Sequence, residues 1–150
     1  MLEDFIETNN VKAEIINCAR GVQSAKDVMD LLKVPPEKIA KTVLFIDSNT
    51  NPVLIIQSGN KRVSEKKVCA LLNVASMRLA SAGETLEITG YEIGGIPPIS
   101  IYAVKTIMDS SVAAQSEVIT GGGDKLHLMR ISPKAIQENV EGIIIEDVAE

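Results

Sequence analysis

Two glycine-rich passages constrain the fold most, because one predicted helix ends at the first and two predicted strands flank the second. The first passage is Gly90–Pro98 (GYEIGGIPP) and the second is Thr120–Asp124 (TGGGD). Together they hold more than half of the ten glycines. Glycine loses more conformational entropy on folding than other residues do. Such clusters therefore indicate a backbone with unusual dihedral angles, or one that a ligand approaches closely.

A lysine stands directly before an apolar run: Lys41 precedes Thr42–Ile46. Glycine-rich loops turn several backbone N–H groups towards one point, which suits an anion or a developing oxyanion. Pro97 and Pro98 stiffen the first loop and leave its glycine N–H groups to a ligand. A nearby lysine would complete a site that needs no histidine, cysteine or metal. Taken alone, Lys41 is better explained as a strand end that extends into solvent.

The composition fits one domain spanning residues 1–150. Hydrophobic residues make up 45% of the chain and aromatic residues 3%, so the core must consist of aliphatic side chains and methionine. The net charge of −5 argues against a protein that wraps long nucleic acid, although one nucleic-acid end remains a feasible ligand. The acidic start and the short apolar runs favour a cytoplasmic protein with no membrane partner. Cys18 and Cys69 are expected to be reduced, with no metal motif.

Serine caps, proline breaks and β-branched runs predict a mixture of helices and strands. The predicted helices are Leu2–Thr8, Ser24–Leu32, Glu65–Leu72, Ser81–Gly90 and one that starts at Ser132–Pro133, with a short turn over Pro36–Ile39. The predicted strands are Val11–Ala19, Thr42–Ile46, Val53–Gln57, Ser76–Leu79, Ile99–Ile107, Glu117–Thr120, Lys125–Met129 and Ile143–Ile145. The elements do not alternate strictly, which favours a single α+β domain with a mixed sheet and flanking helices.

Other chemical signals are weaker. The chain has no phosphate-binding loop or dinucleotide motif. His127 is the sole histidine, and in an alternating strand it is better explained as a surface or satisfied residue than as part of a triad. The basic cluster Lys61, Arg62, Lys66 and Lys67 fits either a solvated helix start or a contact with a nucleic-acid end.

The order of these motifs resembles the YbaK/ProX family of aminoacyl-tRNA deacylases, related to the editing domain of bacterial prolyl-tRNA synthetases. The matching segments are residues 24–27 (SAKD), 36–45 (PEKIAKTVLF), 59–63 (GNKRV), 90–98 and 120–123. The resemblance extends from about Val11 to Val148. It implies an α+β fold with a partly barrel-like mixed sheet and no cofactor.

The resemblance also implies roles for individual residues. Lys41 corresponds to the family's essential lysine, and Gly94 and Gly95 belong to a loop whose backbone holds the aminoacyl carbonyl or the attacking water. The implied substrate-binding residues are Thr42, Ile96, Pro97, Thr120, Gly121 and Gly122. The basic cluster is then the candidate contact with the tRNA acceptor end.

The function implied is a trans-acting, metal-independent editing hydrolase. Its substrate would be mischarged tRNA, with tRNA-Pro carrying a small wrong amino acid such as Ala or Cys as the leading case. The resemblance leaves open a partnership with prolyl-tRNA synthetase. Two alternatives stay open: a non-catalytic module of the same fold that binds aminoacyl-tRNA or a synthetase, and a nucleotide binder that uses the glycine loops for phosphate.

Overall fold

A computed structural model describes residues 1–22 and 24–150. The helices are α1 (Leu2–Thr8), α2 (Ala25–Leu32), α3 (Glu65–Leu72), α4 (Ala82–Thr89), α5 (Ser110–Ala113) and α6 (Pro133–Glu138), with a 3-10 turn over Pro36–Lys38. The strands are β1 (Ala13–Asn17), β2 (Ala40–Asp47), β3 (Pro52–Ser58), β4 (Met77–Leu79), β5 (Lys105–Asp109), β6 (Val118–Gly121), β7 (His127–Ile131) and β8 (Ile144–Glu146). None of the helices in the described ranges is long and apolar enough to cross a bilayer.

The strands form two sheets. The larger has the order β4-β2-β3-β5-β8, antiparallel from β4 to β3 and parallel from β3 to β8. The smaller is antiparallel with the order β1-β7-β6. One parallel bridge between Ile39 and Ile119 joins them. The predicted α+β fold with a mixed sheet is therefore confirmed, while the described strands form two open sheets and no closed barrel.

The strand β2 is buried on both faces, and its side chains alternate between two hydrophobic clusters. Ala40 and Leu44 belong to the larger cluster, which also contains residues of the smaller sheet. Phe45 belongs to a second cluster on the opposite face, beneath α3. Successive side chains of a strand point to opposite faces, so odd-numbered and even-numbered residues of β2 meet different surroundings.

Serine caps fix the starts of the helices as predicted. The hydroxyl oxygens of Ser24, Ser64 and Ser81 each accept a backbone N–H three residues later. Ser81 and Glu84 form a reciprocal capping box, and Gly90 ends α4 with φ +81°. Arg78 of β4 donates two 2.8 Å hydrogen bonds to the Glu84 carboxylate, which tie β4 to α4. These bonds and the Ser81 N–H lower the pKa of Glu84 to about 2.

The predicted strand Ile99–Ile107 is wrong over its first part. Ser100 and Ala103 have φ values of +70° and +60°, which no strand accommodates, and β5 begins only at Lys105. Ile99 is buried, with 1% exposure, as the apolar run indicated, whereas Tyr102 is 73% exposed, and both lie in an irregular segment. The short helix α5, capped by Asp109, was not predicted.

Candidate active site

A pocket of about 240 Å³ opens along one edge of β2. The β4 strand pairs with β2 only at Phe45–Asp47, and the bridge to the smaller sheet lies at Ile39. Between these points no described strand pairs with β2 on the side away from β3. The pocket occupies this gap and is lined by every residue from Ile39 to Leu44. The gap between the two sheets therefore creates the site.

The edge of β2 divides the pocket into an inner part and a mouth. Thr42 shares the strand face of Ala40 and Leu44, which faces the larger core, whereas Lys41 and Val43 lie on the opposite face. Because all five line the pocket, the cavity wraps around the strand edge. A ligand in the inner part meets Thr42, and its outer end meets the face that carries Lys41.

Thr42 holds a polar atom that the protein leaves unsatisfied. The residue is 8% exposed, and its Oγ1 has no hydrogen-bond partner among the described residues. A buried hydroxyl without a partner typically costs about 1–3 kcal/mol. Such a cost is expected where a ligand supplies the missing bond.

Most of the remaining inner wall is apolar. It is built by the start of α2, the segment before β2, and strands β6 and β7: Val22, Ala25, Val28, Ile39, Ile119 and Leu128. A wall of this kind selects by size and shape and offers few hydrogen bonds. It suits a small apolar group next to the polar atoms of the strand edge.

The first glycine-rich loop reaches the pocket through a tight turn. Gly95 N–H donates to the Glu92 carbonyl at 3.0 Å, and Gly94 between them has φ +89°. This dihedral favours glycine. Gly94 and Ile96 both line the pocket, and their N–H groups donate to no described residue. Ile93 also lines the pocket and its N–H has no described acceptor, so three backbone N–H groups of this loop are available to a ligand.

Gly95 differs from the prediction. Its N–H is already used in the turn, it does not line the pocket, and a Cβ placed on it would lie 2.8 Å from Asp124 Cα. Gly95 is needed because the second glycine-rich passage packs against it, and Gly123 N–H donates to its carbonyl at 2.9 Å. Its amide is not a donor to a ligand in this structure.

The second glycine-rich passage forms a close backbone contact with the first. A Cβ on Gly121 would overlap the carbonyl oxygen of Ile96, and one on Gly122 would lie 2.6 Å from the carbonyl carbon of His127. Gly121 and Thr120 line the pocket, while Gly122 lies behind it. Thr120 is 1% exposed, and its hydroxyl lies within hydrogen-bond distance of the Gly121 and Met129 carbonyl oxygens.

Lys41 is partly buried at the mouth of the pocket, and its surroundings change its pKa. Burial lowers the pKa of Lys41, and the positive charge of Arg62 lowers it further. Gln57 of β3 pairs with Lys41 of β2. Its side-chain amide donates a hydrogen bond to the Arg62 carbonyl, which fixes the backbone of Arg62 beside this end of the strand. Neither cation forms an ion pair with a described carboxylate. Two neighbouring cations without a counter-ion are an arrangement that favours an anionic ligand.

None of the four residues of the basic cluster lines the pocket. Lys67 Nζ contacts Asp147 Oδ2 at 3.0 Å and the Ala149 carbonyl at 2.6 Å, so it holds the C-terminal segment against α3. Lys61 and Lys66 are exposed and do not line the pocket. His127 is also outside it, with Nδ1 2.6 Å from Asp124 Oδ1.

The structure thus brings together six of the predicted site residues: Lys41, Thr42, Gly94, Ile96, Thr120 and Gly121. Gly95, Gly122 and the buried Pro97 stand behind them. The sequence predictions missed Leu79 and Ile93, which line the pocket and are 60% and 57% exposed. Exposed apolar residues within a short strand and a turn give no sequence signal that separates them from core residues.

Comparisons with known proteins show the family of the chain. The profile of the aminoacyl-tRNA editing domain family matches residues 19–138. The chain belongs to this family. It is 35% identical over 105 residues to proline–tRNA ligase of Lactobacillus johnsonii and 34% identical over 105 residues to that of Thermotoga neapolitana. These matches cover 69% and 70% of the chain but only 18% of each ligase.

Solved structures resemble this editing domain along its whole length. The crystal structure of hypothetical protein APE2540 superposes with a TM-score of 0.92 at 26% identity, covering 99% of both chains. A candidate trans-editing enzyme for prolyl tRNA synthetase superposes with a TM-score of 0.85 at 23% identity, covering 99% of this chain and 94% of that one. The second likeness concerns the fold alone.

Proposed function

We propose that this editing domain is a trans-acting hydrolase that cleaves the ester bond between a tRNA and a wrongly attached amino acid. The leading substrate is tRNA-Pro that carries alanine or cysteine. Family membership supports an editing role, and the proline–tRNA ligase relatives support proline tRNA as the first to test. The candidate trans-editing enzyme of similar fold supports action by a separate chain.

One observation carries the proposal: unsatisfied polar groups converge on an apolar pocket. They are the Thr42 hydroxyl and the N–H groups of Gly94 and Ile96, and Lys41 stands at the mouth. An aminoacyl ester has the complementary parts, namely a small side chain, an α-amino group and a carbonyl, followed by a ribose and a phosphate. The pocket can take the amino acid while the mouth takes the nucleotide.

The residues present suit ester hydrolysis by positioning and electrostatics. Water adds to the ester carbonyl carbon, and negative charge develops on the carbonyl oxygen. The bond to the ribose oxygen then breaks, that oxygen receives one proton of the attacking water, and the amino acid leaves as a carboxylate as the other proton passes to solvent. The Gly94 and Ile96 N–H groups are the donors we assign to the oxyanion or to the attacking water. Donors fixed in a turn need no reorganisation during the reaction, which makes them effective.

Thr42 is the group that we assign to the polar part of the amino acid. Its Oγ1 lies among aliphatic side chains, so it can satisfy its hydrogen bond by accepting from the α-ammonium group or by donating to the ester. The apolar wall then limits the amino-acid side chain by size. A pocket of this kind discriminates by only about 1–3 kcal/mol per methylene, so it excludes larger side chains better than smaller ones.

Lys41 and Arg62 are assigned to the phosphate that follows the terminal ribose. A phosphate beside these cations would offset their mutual repulsion, which is one cause of the lowered pKa of Lys41. Lys41 would also stabilise negative charge at the ester. Lys61 and Lys66 remain proposed contacts with the acceptor stem, whereas the contacts of Lys67 with Asp147 and Ala149 favour a structural role.

Metal independence and a cytoplasmic location belong to the same proposal. Among the described residues, no group of three or more histidine, cysteine, aspartate or glutamate side chains is placed to hold a metal ion. The mechanism above assigns the developing negative charge and the binding of the substrate to side chains and backbone donors of this chain. Activity that is unchanged after dialysis against a chelator would support metal independence, whereas its loss and recovery with an added cation would contradict it.

The test is deacylation of tRNA-Pro charged with Ala, Cys, Ser or Thr, with correctly charged Pro-tRNA as the reference. The wild-type protein is expected to release at least one small amino acid above the uncatalysed rate. Lys41→Ala should lower kcat/KM by about 100-fold or more, the scale of one electrostatic contact in a transition state. Lys134→Ala is the matched control, since Lys134 is exposed on α6 and outside the pocket.

The same assay separates the alternatives. Saturable binding of mischarged tRNA without release of amino acid would replace the hydrolase with a binding module of the same fold. Equal rates for wild type and Lys41→Ala would overturn the assignment of Lys41.

A further inference from the structure

Two exposed aliphatic side chains stand at the mouth of the pocket. Leu79 of β4 is 60% exposed, and Ile93 in the turn before Gly94 is 57% exposed. Both line the same pocket as Lys41 and Thr42. Contact of a large apolar side chain with water is unfavourable compared with burial. Two such side chains at the entrance of a binding pocket therefore need an explanation.

The position of Leu79 follows from the register of β4 and β2. Leu79 lies opposite Phe45, and Met77 and Phe45 belong to the same cluster, so Leu79 is on the face of β2 that carries Val43 and Lys41. Lys41 lies four residues from this pair, about 13 Å along the strand. The mouth therefore has a cationic end at Lys41 and an aliphatic end at Leu79.

The two aliphatic residues are held by one structural unit. Leu79 precedes α4 and Ile93 follows it, while the Ser81–Glu84 capping box and the Arg78–Glu84 pair fix β4 against that helix. The turn closed by Gly95 N–H and the Glu92 carbonyl fixes Ile93. The aliphatic end of the mouth is thus formed by backbone that is tied at both sides of α4.

We propose that Leu79 and Ile93 form a nucleobase site that packs against the terminal base of the aminoacylated strand. The inference rests on the proposed function, because it takes the aminoacyl nucleoside as the ligand. With the amino acid in the inner pocket, the covalently attached ribose and base must leave through the mouth. Bases pack favourably against apolar side chains in pockets of this kind. The cations at the other end of the mouth leave the phosphate a separate place.

The chemistry of this site also predicts what it does not read. Leu79 and Ile93 side chains have neither donors nor acceptors, so they bind the face of a base and cannot distinguish its hydrogen-bonding edge. Hypoxanthine in place of adenine should therefore change binding by less than about threefold, since packing on a base face tolerates different bases.

The experiment uses a non-hydrolysable ligand, 3′-alanylamino-3′-deoxyadenosine, in which an amide replaces the ester. A second ligand carries the same amide on a ribose with a methoxy group in place of the base. Binding to the full chain is measured by isothermal titration calorimetry. The wild type should bind the nucleoside about tenfold more tightly than the base-free compound, the scale expected for burial of about 60 Å² of apolar surface.

The decisive variant is Leu79→Ser with Ile93→Ser, both exposed positions where serine leaves the core intact. It should lose the tenfold preference for the nucleoside and keep the wild-type affinity for the base-free ligand. Leu71→Ser is the matched control, since Leu71 is 39% exposed on α3 and outside the pocket. Circular dichroism of each variant reports retention of the fold.

Several outcomes would overturn the nucleobase site. They are an unchanged preference in the double variant, no preference in the wild type, or a large loss of affinity on replacing adenine with hypoxanthine. A wild-type dimer that becomes monomeric in the double variant would also overturn it. Failure of the proposed function looks different. A protein that retains the base preference but releases no amino acid from any mischarged tRNA would not be a hydrolase, while turnover without a base preference would remove only the nucleobase site.

Discussion

Glycines of the two glycine-rich passages are needed for two different physical reasons. In the first passage, Gly94 has a positive φ and lines the pocket, and its N–H has no described acceptor. In the second, Gly121 and Gly122 do not have positive φ values, and they are needed because neighbouring backbone lies where a Cβ would stand. Both roles occur in both passages, because Gly123 of the second has φ +104° and a Cβ on Gly95 of the first would lie 2.8 Å from Asp124 Cα.

The contact between the two passages shows how the candidate site is supported. The second passage presses against the first, through Gly121 on the Ile96 carbonyl and a 2.9 Å hydrogen bond from Gly123 N–H to the Gly95 carbonyl. The first loop therefore owes its position to a segment some 25 residues later in the chain. Changes in the second passage should act mainly through stability, and changes at Gly94 mainly through the ligand.

The largest effect is expected for Gly121→Val. Its side chain would overlap the Ile96 carbonyl, which is backbone and cannot rotate away, so β6 must separate from the first loop. We expect the free energy of unfolding to fall by about 3 kcal/mol, the upper range for overpacking. Urea denaturation measures it. Gly83→Ala is the control, because nothing lies within 4 Å of a Cβ there and α4 should gain about 0.5–1 kcal/mol.

A Gly121→Val protein as stable as the wild type would show that the contact between the two passages is not tight. The support that the second passage gives to the first would then have to come from the Gly123–Gly95 hydrogen bond alone.

Gly94→Ala is expected to lose less stability than Gly121→Val. Its loss of ligand-binding free energy should exceed its loss of stability. A left-handed dihedral costs a non-glycine residue about 1–2 kcal/mol. The turn can relieve this strain by rotating the Gly94 peptide, which would move the N–H away from the pocket. Urea denaturation and calorimetry with the alanylamino nucleoside measure the two effects. A lower free energy of unfolding with unchanged ligand affinity would contradict the role of the Gly94 N–H.

Thr42→Val should stabilise the protein while it weakens ligand binding. Valine keeps the shape and removes a buried hydroxyl that has no partner, so the free energy of unfolding should rise by up to about 1 kcal/mol. Binding of the alanylamino nucleoside should weaken. Thr120→Val is the matched control: its hydroxyl lies near two carbonyl oxygens, so the same change should destabilise the protein by about 1 kcal/mol. Destabilisation of both variants would show that the Thr42 hydroxyl is satisfied in solution.

Local signals predicted most elements of the fold. The serine caps at Ser24, Ser64 and Ser81 and the β-branched runs of β2 and β3 depend on neighbours in the sequence, and the structure has these elements as predicted, within a few residues. The segment Ile99–Val104 was misassigned because apolar residues indicate burial but not dihedral angles. Its positive φ values at Ser100 and Ala103 follow from packing that no local pattern encodes.

The candidate site was predictable only in part for a related reason. Lys41 and Gly94 stand out in the sequence by charge and glycine content, whereas their roles and the choice of Thr42 came from the family resemblance. The free edge of β2 could not be predicted, because it arises from where β4 pairing stops and where the smaller sheet meets Ile39. The engagement of Gly95 in a turn, and the exposure of Leu79, likewise depend on contacts between distant segments.

The smallest effect concerns the cationic end of the mouth and is read as a pKa. Burial is the larger cause of the lowered Lys41 pKa and the charge of Arg62 the smaller, so Arg62→Ala should raise that pKa part of the way to the ordinary value. Lys41 stays charged below its pKa and loses its proton above it. The variant should therefore keep the charge to higher pH, which NMR titration of the Lys41 side chain measures.

Arg62→Ala should have two opposing effects on ligand binding, one near neutral pH and one at alkaline pH. Near neutral pH, Arg62→Ala removes one cation and should weaken binding of the 5′-phosphorylated alanylamino nucleoside, but not of the unphosphorylated compound. At alkaline pH, the remaining Lys41 should keep its contribution over a wider range than in the wild type. Lys66→Ala is the comparison, because Lys66 belongs to the basic cluster but is not a cause of the lowered Lys41 pKa. If both variants left the Lys41 titration and the phosphate preference unchanged, the phosphate would have to be held elsewhere than between Lys41 and Arg62.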